Sequence, residues 1–170
     1  MNDTLILVDL EDNEIGVGEK LWVHKNDKLH RAFSVFVIDG DRMLIQRRNI
    51  NKYHSGGLWA NACCSHPRSG ELLEDAVKRR LFEEIGVIAS SEEVFHFIYR
   101  TEYDNGLCEY EYDHVFLCNY SGPVCPFKDE IDEIKWVNIE ELKKDVVENP
   151  HKYSSWFLIA LPKFLEIVVK

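Results

Sequence analysis

Residues 59–86 constrain the fold of this chain more than any other stretch, because a thiol and an imidazole run directly into a turn and a charged helix. Cys64 and His66 stand two residues apart, and residues 67–70, which begin with Pro67 and end with Gly70, are typical of a tight turn. Glu and Arg then recur at helical spacing. An extended segment, a turn and a helix therefore meet where reactive side chains are concentrated.

The residues after the turn match the Nudix box, G-x5-E-x7-R-E-U-x-E-E-x-G-U, in which U is apolar. The matching positions are Glu71, Arg79, Leu81, Glu83, Glu84, Gly86 and Val87. Two positions depart from the box. Ser65 stands where the box opens with glycine, and Arg80 stands where it has its second glutamate.

The physics of a helix explains what the box can do. Residues four apart share one face, so Arg79 is expected to pair with Glu83, and Arg80 with Glu84. Carboxylates gathered at one helix end suit magnesium and a substrate diphosphate. Arg80 removes one metal ligand and adds a cation for phosphate oxygens, which favours binding a diphosphate over cutting it. The alternative is a solvated amphipathic helix with ordinary ion pairs.

Length and charge limit the classes of protein. At 170 residues the chain suits a single domain spanning residues 1–170, and its net charge of −10 argues against nucleic-acid binding. No apolar run reaches the roughly 18 residues of a membrane span, and the first residues lack a basic signal region. Five cysteines, two of them adjacent, indicate a reduced set and a cytoplasmic protein. We expect a monomer or a weak homodimer.

Hydrophobic patterning suits an α+β or α/β sandwich, and we expect an α+β fold, an α/β/α sandwich in which helices flank a mixed β-sheet. Strands are expected over residues 4–10, 15–23, 31–38, 43–48, 94–103, 107–119 and 134–137. Lys20 then lies inside the second strand and His24 at its end. Helices are expected after the turn, over residues 139–148, and from residue 154 to the end with an interruption at Pro162. The Asp104-Asn105-Gly106 segment is the clearest hairpin turn.

A second set of side chains has the chemistry of a metal site. Its members are His24, His30, His66, Glu109 and Glu111. Alternation along the strand puts both glutamates on one face. Imidazoles and carboxylates together suit zinc or manganese. Each residue alone is more often structural or solvated, and spacing does not show that the five converge.

Several longer motifs point to one family. Trp59-Ala-Asn-Ala-Cys-Cys-Ser-His-Pro, Leu29-His30-Arg31-Ala32-Phe33-Ser34, Glu109-Tyr110-Glu111 and Ser155-Trp156 occur in this order along nearly the whole chain. With them the chain resembles the type 1 isopentenyl-diphosphate isomerases, a family with the Nudix fold. Arg80 in place of the box glutamate fits the same resemblance. It implies conversion of isopentenyl diphosphate to dimethylallyl diphosphate in isoprenoid biosynthesis.

The resemblance also implies roles for individual residues. Cys64 would exchange the methylene proton, Glu111 with Tyr99 would deliver the alkene proton, and Trp156 would face the carbocation. Lys20, Arg48, Lys52 and Arg80 would hold the diphosphate together with magnesium on Glu84. Zinc or manganese would bind His24, His30, His66, Glu109 and Glu111.

Other interpretations of these residues remain open. Alternation turns Cys63 away from Cys64 and into the core, while Tyr99 and Trp156 also suit plain core positions. A Nudix hydrolase of a nucleoside or other diphosphate is the second hypothesis, and Arg80 counts against it. A non-catalytic module that binds metal or diphosphate is the third.

Overall fold

A computed structural model describes residues 4–169 of the chain. The strands are β1 (Thr4–Val8), β2 (Glu14–Glu19), β3 (His30–Asp39), β4 (Arg42–Arg48), β5 (Trp59–Asn61), β6 (Cys63–Ser65), β7 (Glu92–Glu102), β8 (Cys108–Asn119) and β9 (Ile131–Asn138). The helices are α1 (Lys20–Lys25), α2 (Leu73–Ile85), α3 (Ile139–Glu148) and α4 (Ser155–Val168), with a short 3-10 helix at Pro150–Lys152.

The sheet is assembled on β3, which pairs with four other strands and is buried along most of its length. β3 pairs in parallel with β8 and antiparallel with β1, β4 and β6. β8 pairs antiparallel with β7, and β4 pairs antiparallel with β5 and β9. Both parallel and antiparallel pairing therefore occur in one sheet, which confirms the mixed sheet expected from the sequence.

Helices cover both faces of this sheet. On one face Phe36 stacks on Phe164 of α4, with ring centroids 4.3 Å apart. On the other face Leu81 and Ile85 of α2 are fully buried against Val35 and its neighbours. Each helix buries one apolar stripe against the sheet, which is the layered arrangement such amphipathic elements favour. The predicted α+β sandwich is confirmed.

The box glycine has a structural task at the end of α2. Gly86 adopts the left-handed conformation with φ of 68°, and its N–H donates to the carbonyl of Phe82. The N–H of Val87 then donates back to Leu81 at 3.2 Å, closing a Schellman-type end. A Cβ on Gly86 would also lie 3.2 Å from the Cβ of Cys125. Glycine therefore ends this helix where the box residues require it.

The predicted bounds of the first two strands were wrong. β1 ends at Val8, because Asp9 Oδ1 accepts from the N–H groups of Glu11 and Asn13 and turns the chain. β2 ends at Glu19, because the Glu19 carboxylate caps α1. It accepts from the N–H of Leu21 at 3.0 Å and from the N–H of Trp22 at 2.8 Å. Lys20 and His24 therefore lie on a short helix and not on a strand.

The predicted interruption of the last helix was also wrong. α4 runs through Pro162 from Ser155 to Val168. Leu161 and Phe164, on either side of the proline, are almost fully buried. Packing of these side chains holds the helix together although Pro162 contributes no N–H. Within residues 4–169 no helix has the length and apolar character needed to cross a membrane.

Replacement of Pro162 by alanine should stabilise the protein. Pro162→Ala restores an N–H inside α4, so we expect the free energy of unfolding to rise by about 1–3 kcal/mol, measured by urea denaturation. Pro150→Ala is the matched control, because Pro150 occupies the start of the 3-10 helix, where proline is favoured. A Pro162→Ala variant no more stable than Pro150→Ala would show that α4 accommodates its proline without cost.

Candidate active site

The register of the sheet determines which functional side chains become neighbours. Parallel pairing sets His30 of β3 opposite Glu111 of β8. Antiparallel pairing sets Tyr99 of β7 opposite the same Glu111. On the other side of β3, Cys64 pairs with Ser34. Residues far apart in sequence are thus brought together by β3 and its partners.

Four of the five expected metal ligands converge. One ligand atom from each of His24, His30, His66 and Glu111 lies within 4.8 Å of the others. Glu111 Oε1 is 3.0 Å from His66 Nε2 and 3.4 Å from His30 Nε2. Helix α1 supplies His24, whose ring centroid is 5.0 Å from that of His30. The capped helix, unforeseen from the sequence, thus completes the group.

The hydrogen bonds of this group leave nitrogen lone pairs available for a metal. Nδ1 of His24 donates to the carbonyl of Lys20, and Nδ1 of His30 donates to that of Lys28, both at 2.8 Å. The buried Nε2 atoms of both rings have no hydrogen-bond partner among residues 4–169. Backbone carbonyls commonly orient metal-binding histidines in this way. The chemistry and placement of these residues therefore fit a divalent metal.

The charges of the group suit the same ion. Burial, aided by the neighbouring imidazoles of His30 and His66, lowers the pKa of His24 to about 4, so this ring is neutral at pH 7. Burial acts to raise the pKa of Glu111, but the adjacent imidazoles of His30 and His66 outweigh it and hold the pKa well below its usual range. Neutral imidazoles and an ionised carboxylate are the forms that coordinate metals.

The fifth expected ligand, Glu109, lies outside this four-residue group. Glu109 Oε2 is 3.0 Å from the hydroxyl of Tyr99 and 2.9 Å from that of Tyr103, and Oε1 is 2.7 Å from His54 Nε2. Tyr99 also lies 2.6 Å from Glu111 Oε2 and so links the two carboxylates.

His54 and Tyr103 were not identified from the sequence. Each lies at or beside a loop, where no periodicity relates it to Glu109. Their rings stack with centroids 4.6 Å apart. The sequence shows only that His54 lies close to the Gly56-Gly57 pair. This does not indicate that His54 contacts Glu109.

The two adjacent cysteines face opposite sides of β6. Cys63 is fully buried in the apolar cluster beside α2, as predicted. Cys64 donates its thiol proton to Asn61 Oδ1 and accepts from the indole N–H of Trp156, both at 3.0 Å. Burial and the charge of Asp113 raise the pKa of the Cys64 thiol. The thiol is therefore held in one orientation and protonated in the substrate-free protein.

A cavity of about 420 Å³ joins the thiol to the metal-binding group. Cys64, His66, Tyr99, Glu109, Glu111 and Trp156 all line it. Six cationic side chains line it as well, namely Lys20, Arg48, Lys52, Arg68, Arg79 and Arg80. A chain with a net charge of −10 thus gathers positive charge in one place, as expected for an anionic ligand.

The cations of the cavity differ in their partners. Lys52 pairs with Glu130, a lining residue that sequence reasoning missed. Arg80 pairs with Glu83 and Glu84, which confirms the expected i,i+4 pair. Nε of Arg48 is buried without a hydrogen-bond partner among the described residues. Arg48 therefore has unused donor capacity for a ligand.

Trp156 lines the cavity, whereas Glu84 does not line it and pairs with Arg80, which does. Glu84 is 3% exposed, and burial raises the pKa of its carboxyl although Arg80 opposes the shift. The guanidinium carbon of Arg48 lies 5.1 Å from the centroid of the Trp156 ring. The ring thus already attracts a cation in the substrate-free protein.

Comparison with known proteins points in one direction. The NUDIX domain family model matches residues 28–157. "Isopentenyl-diphosphate Delta-isomerase 2" of Aromatoleum aromaticum is 47% identical over 166 residues, which cover 97% of this chain and 88% of that protein. "Isopentenyl-diphosphate Delta-isomerase" of Burkholderia multivorans is 43% identical over 158 residues, covering 92% of this chain and 90% of the relative. The solved structure of a Deinococcus radiodurans protein aligns with a TM-score of 0.69 at 18% identity over 86% of this chain and 90% of its own, and supports the fold alone.

Removal of one histidine should empty the metal-binding group. We expect His24→Ala and His66→Ala to lower the divalent-metal content of purified protein severalfold, because each removes one of four converging ligands. His151→Ala is the control, since this exposed histidine lies in the 3-10 helix. Elemental analysis measures all three variants. Equal metal content in His24→Ala, His66→Ala and wild type would contradict a metal role for these histidines.

Proposed function

This chain belongs to the NUDIX domain family and, within it, to the isopentenyl-diphosphate Delta-isomerases, and from that premise we propose that it converts isopentenyl diphosphate to dimethylallyl diphosphate. The observation that carries this function is the 47% identity to an isomerase over 97% of the chain. The reaction serves isoprenoid biosynthesis. The cavity that brings a thiol, carboxylates, an aromatic ring and cations together supports the same function.

The reaction places specific demands on such a cavity. A proton adds to the terminal alkene carbon, which gives a tertiary carbocation, and a second proton leaves the neighbouring methylene group. The number of protons on the substrate is therefore unchanged. The enzyme needs an acid, a base, a wall that stabilises positive charge, and exclusion of water.

Glu111 and Cys64 are the proposed proton carriers. Glu111 is ionised, so it first takes up a proton, for which the Tyr99 hydroxyl at 2.6 Å is the adjacent donor, and then delivers the alkene proton. Cys64 exchanges the methylene proton, and its hydrogen bond to Asn61 holds the sulfur in place. Because the substrate-free thiol is protonated, it must release that proton before it accepts another. The proton that Cys64 must release matches the one that Glu111 takes up, so the number of protons in the cavity does not change. Arg48 and the Trp156 N–H favour the thiolate and support that step.

Trp156 is the proposed wall for the carbocation. An indole face attracts cations through its quadrupole, and it adds no nucleophile that would trap the intermediate. Trp156 is 3% exposed, and its N–H is held by Cys64 and Asn61. The ring is therefore fixed beside the thiol that exchanges the methylene proton.

The diphosphate is proposed to bind at the cationic side of the cavity. The side chains that would bind it are Lys20, Arg48, Lys52 and Arg80, and Glu84, which pairs with Arg80, would hold Mg²⁺. Charge-assisted hydrogen bonds to phosphate oxygens belong to the strong class. Arg80 stands where the hydrolytic box has a carboxylate, and this supports retention of the diphosphate over its hydrolysis.

A transition metal, Mn²⁺ or Zn²⁺, is proposed at the histidine and glutamate group. Its ligands are His24, His30, His66, Glu109 and Glu111. Glu109 is retained because it shares the Tyr99 hydroxyl with Glu111. When bound, the metal supplies a fixed positive charge that orients both carboxylates. Glu109→Gln and His66→Ala should therefore each lower the metal content of the purified protein.

A reduced thiol is required at Cys64, and all five cysteines are free in the structure. This supports the proposal that the enzyme works in the cytoplasm, where thiols stay reduced. Its proposed partner is the small-molecule substrate, acted on by a monomer or weak homodimer without nucleic acid or membrane.

The adjacent cysteines provide a matched test of the function. Purified protein with divalent metal should convert isopentenyl diphosphate to the allylic product without release of phosphate. Cys64→Ser should lower kcat by about 10²–10⁴-fold, because a serine hydroxyl is a far weaker proton carrier here, whereas Cys63→Ser should stay near wild type. Steady phosphate release without allylic product would favour the hydrolase. Near wild-type turnover of Cys64→Ser would remove the thiol from the mechanism.

The adjacent arginines of β4 provide a second matched test. Arg48 lines the cavity, whereas Arg47 pairs with Glu133 at 3.3 Å. Loss of a charged hydrogen bond of about 1.5–3 kcal/mol should raise the KM for isopentenyl diphosphate roughly 10- to 100-fold in Arg48→Gln. Arg47→Gln should leave it unchanged. Similar KM values for the two variants in steady-state assays would contradict diphosphate binding by Arg48.

A further inference from the structure

A second group of metal-ligating side chains lies on the other face of β8. It consists of Glu93 and His96 on β7 and His114 on β8. Glu109 and Glu111 line the catalytic cavity, and alternation turns His114 to the opposite side of the strand. The proposed isomerase reaction uses none of the three residues.

An irregularity in the sheet brings these side chains onto one face. Residues three apart on a regular strand point to opposite faces, so Glu93 and His96 should be separated. The pairing of β7 with β8 shifts register between Glu93 and Phe95, which inserts one extra residue. The bulge turns Glu93 to the side of His96. His114 is the direct cross-strand partner of His96 in the same register.

The distances between the ligand atoms are those of a small coordination sphere. Glu93 Oε1 lies 2.7 Å from His114 Nδ1 and 3.7 Å from His96 Nδ1. A tetrahedral zinc ion with bonds of about 2.0–2.1 Å separates its ligand atoms by about 3.3 Å. The two measured distances lie on either side of that value. Small rotations of exposed side chains therefore suffice to admit the ion.

A second carboxylate orients His114 from behind. His114 Nε2 lies 2.9 Å from Asp12 Oδ2, while Asp12 Oδ1 accepts from Arg31 Nε at 2.8 Å. Arg31 Nη2 also donates to the backbone carbonyl of Asp12 at 2.6 Å. Metal-binding histidines commonly use the second ring nitrogen in this way.

The backbone at Asp12 is unusual. Its φ of 63° is in the left-handed region that residues other than glycine seldom adopt. Such conformations persist when surrounding contacts hold them, and here the contacts come from Arg31 and His114. The turn after β1 is thus shaped so that a carboxylate meets the ring of His114.

We propose that Glu93, His96 and His114 form a second transition-metal site, separate from the catalytic centre, which takes Zn²⁺ or a similar ion. Two imidazoles and one carboxylate are a typical zinc donor set. The ion joins β7 to β8 and, through His114 and Asp12, to the turn after β1. Its role is structural. The alternative is that His114 only bridges the carboxylates of Glu93 and Asp12 and that the group binds no metal.

Metal stoichiometry tests the proposal. Metal-free protein is titrated with Zn²⁺ alone against a chromophoric chelator. Wild type and the control His151→Ala should bind one equivalent more than His96→Ala, whose side chain is exposed enough to be replaced without loss of fold. Isomerase activity of His96→Ala should equal that of wild type, because His96 lies outside the cavity.

Two further variants keep this result separate from the catalytic metal. The double variant His66→Ala/His96→Ala should bind one equivalent of Zn²⁺ less than His66→Ala alone, whatever the catalytic group binds. Asp12→Asn, which tolerates the left-handed backbone, should weaken affinity about 10- to 100-fold. Equal stoichiometry in wild type and His96→Ala would overturn the proposal. Binding that needs millimolar Zn²⁺, which is adventitious, would overturn it as well.

Discussion

The parallel pairing of β3 with β8 is the interaction on which the site depends. It fixes His30 opposite Glu111, and the other functional contacts depend on the same register. β6 then adds Cys64 on one side of β3, and β7 adds Tyr99 beside Glu111. A one-residue slip of β8 would turn its carboxylates from the cavity into the opposite core. The buried apolar residues on both faces of β8 therefore protect the chemistry as well as the fold.

Burial gives the polar residues of the site their properties. Buried charged groups are costly unless they are paired, and the site contains buried imidazoles and carboxylates together with arginines. Glu111 remains ionised because His30 and His66 contact it. Glu84 forms an ion pair with Arg80. An incoming diphosphate and metal would meet groups that are already oriented, which lowers the cost of reorganisation when charge develops.

Sequence reasoning succeeded where a local rule governs the structure. Helical spacing gave the Arg79–Glu83 and Arg80–Glu84 pairs. The Asn105-Gly106 signal gave the β7–β8 hairpin, with Gly106 at a φ of 78°. Alternation gave the burial of Cys63. In each case the residues that determine the outcome lie within a few positions of one another.

It failed where long-range contacts or caps decide the structure. The carboxylate of Glu19 caps α1, so the chain forms a helix where a strand was predicted, and this helix places His24 in the metal-binding group. His54 and Tyr103 meet Glu109 only because loops converge. The bulge between Glu93 and Phe95 reverses the face expected from period two. Strand pairing across β3 joins residues whose separation in sequence carries no signal.

The central claim is that two separate groups, Glu111 and Cys64, carry the two protons on a substrate held in one cavity. Turnover of isopentenyl diphosphate in deuterated water tests it most directly, with deuterium located by NMR in the product and in recovered substrate. The account predicts solvent deuterium in the methyl group formed from the alkene carbon in the forward reaction, and solvent deuterium at the carbon that loses the methylene proton once the reaction has also run in reverse. Conversion with no solvent deuterium at either carbon would show transfer of one proton by a single group, and would contradict the account.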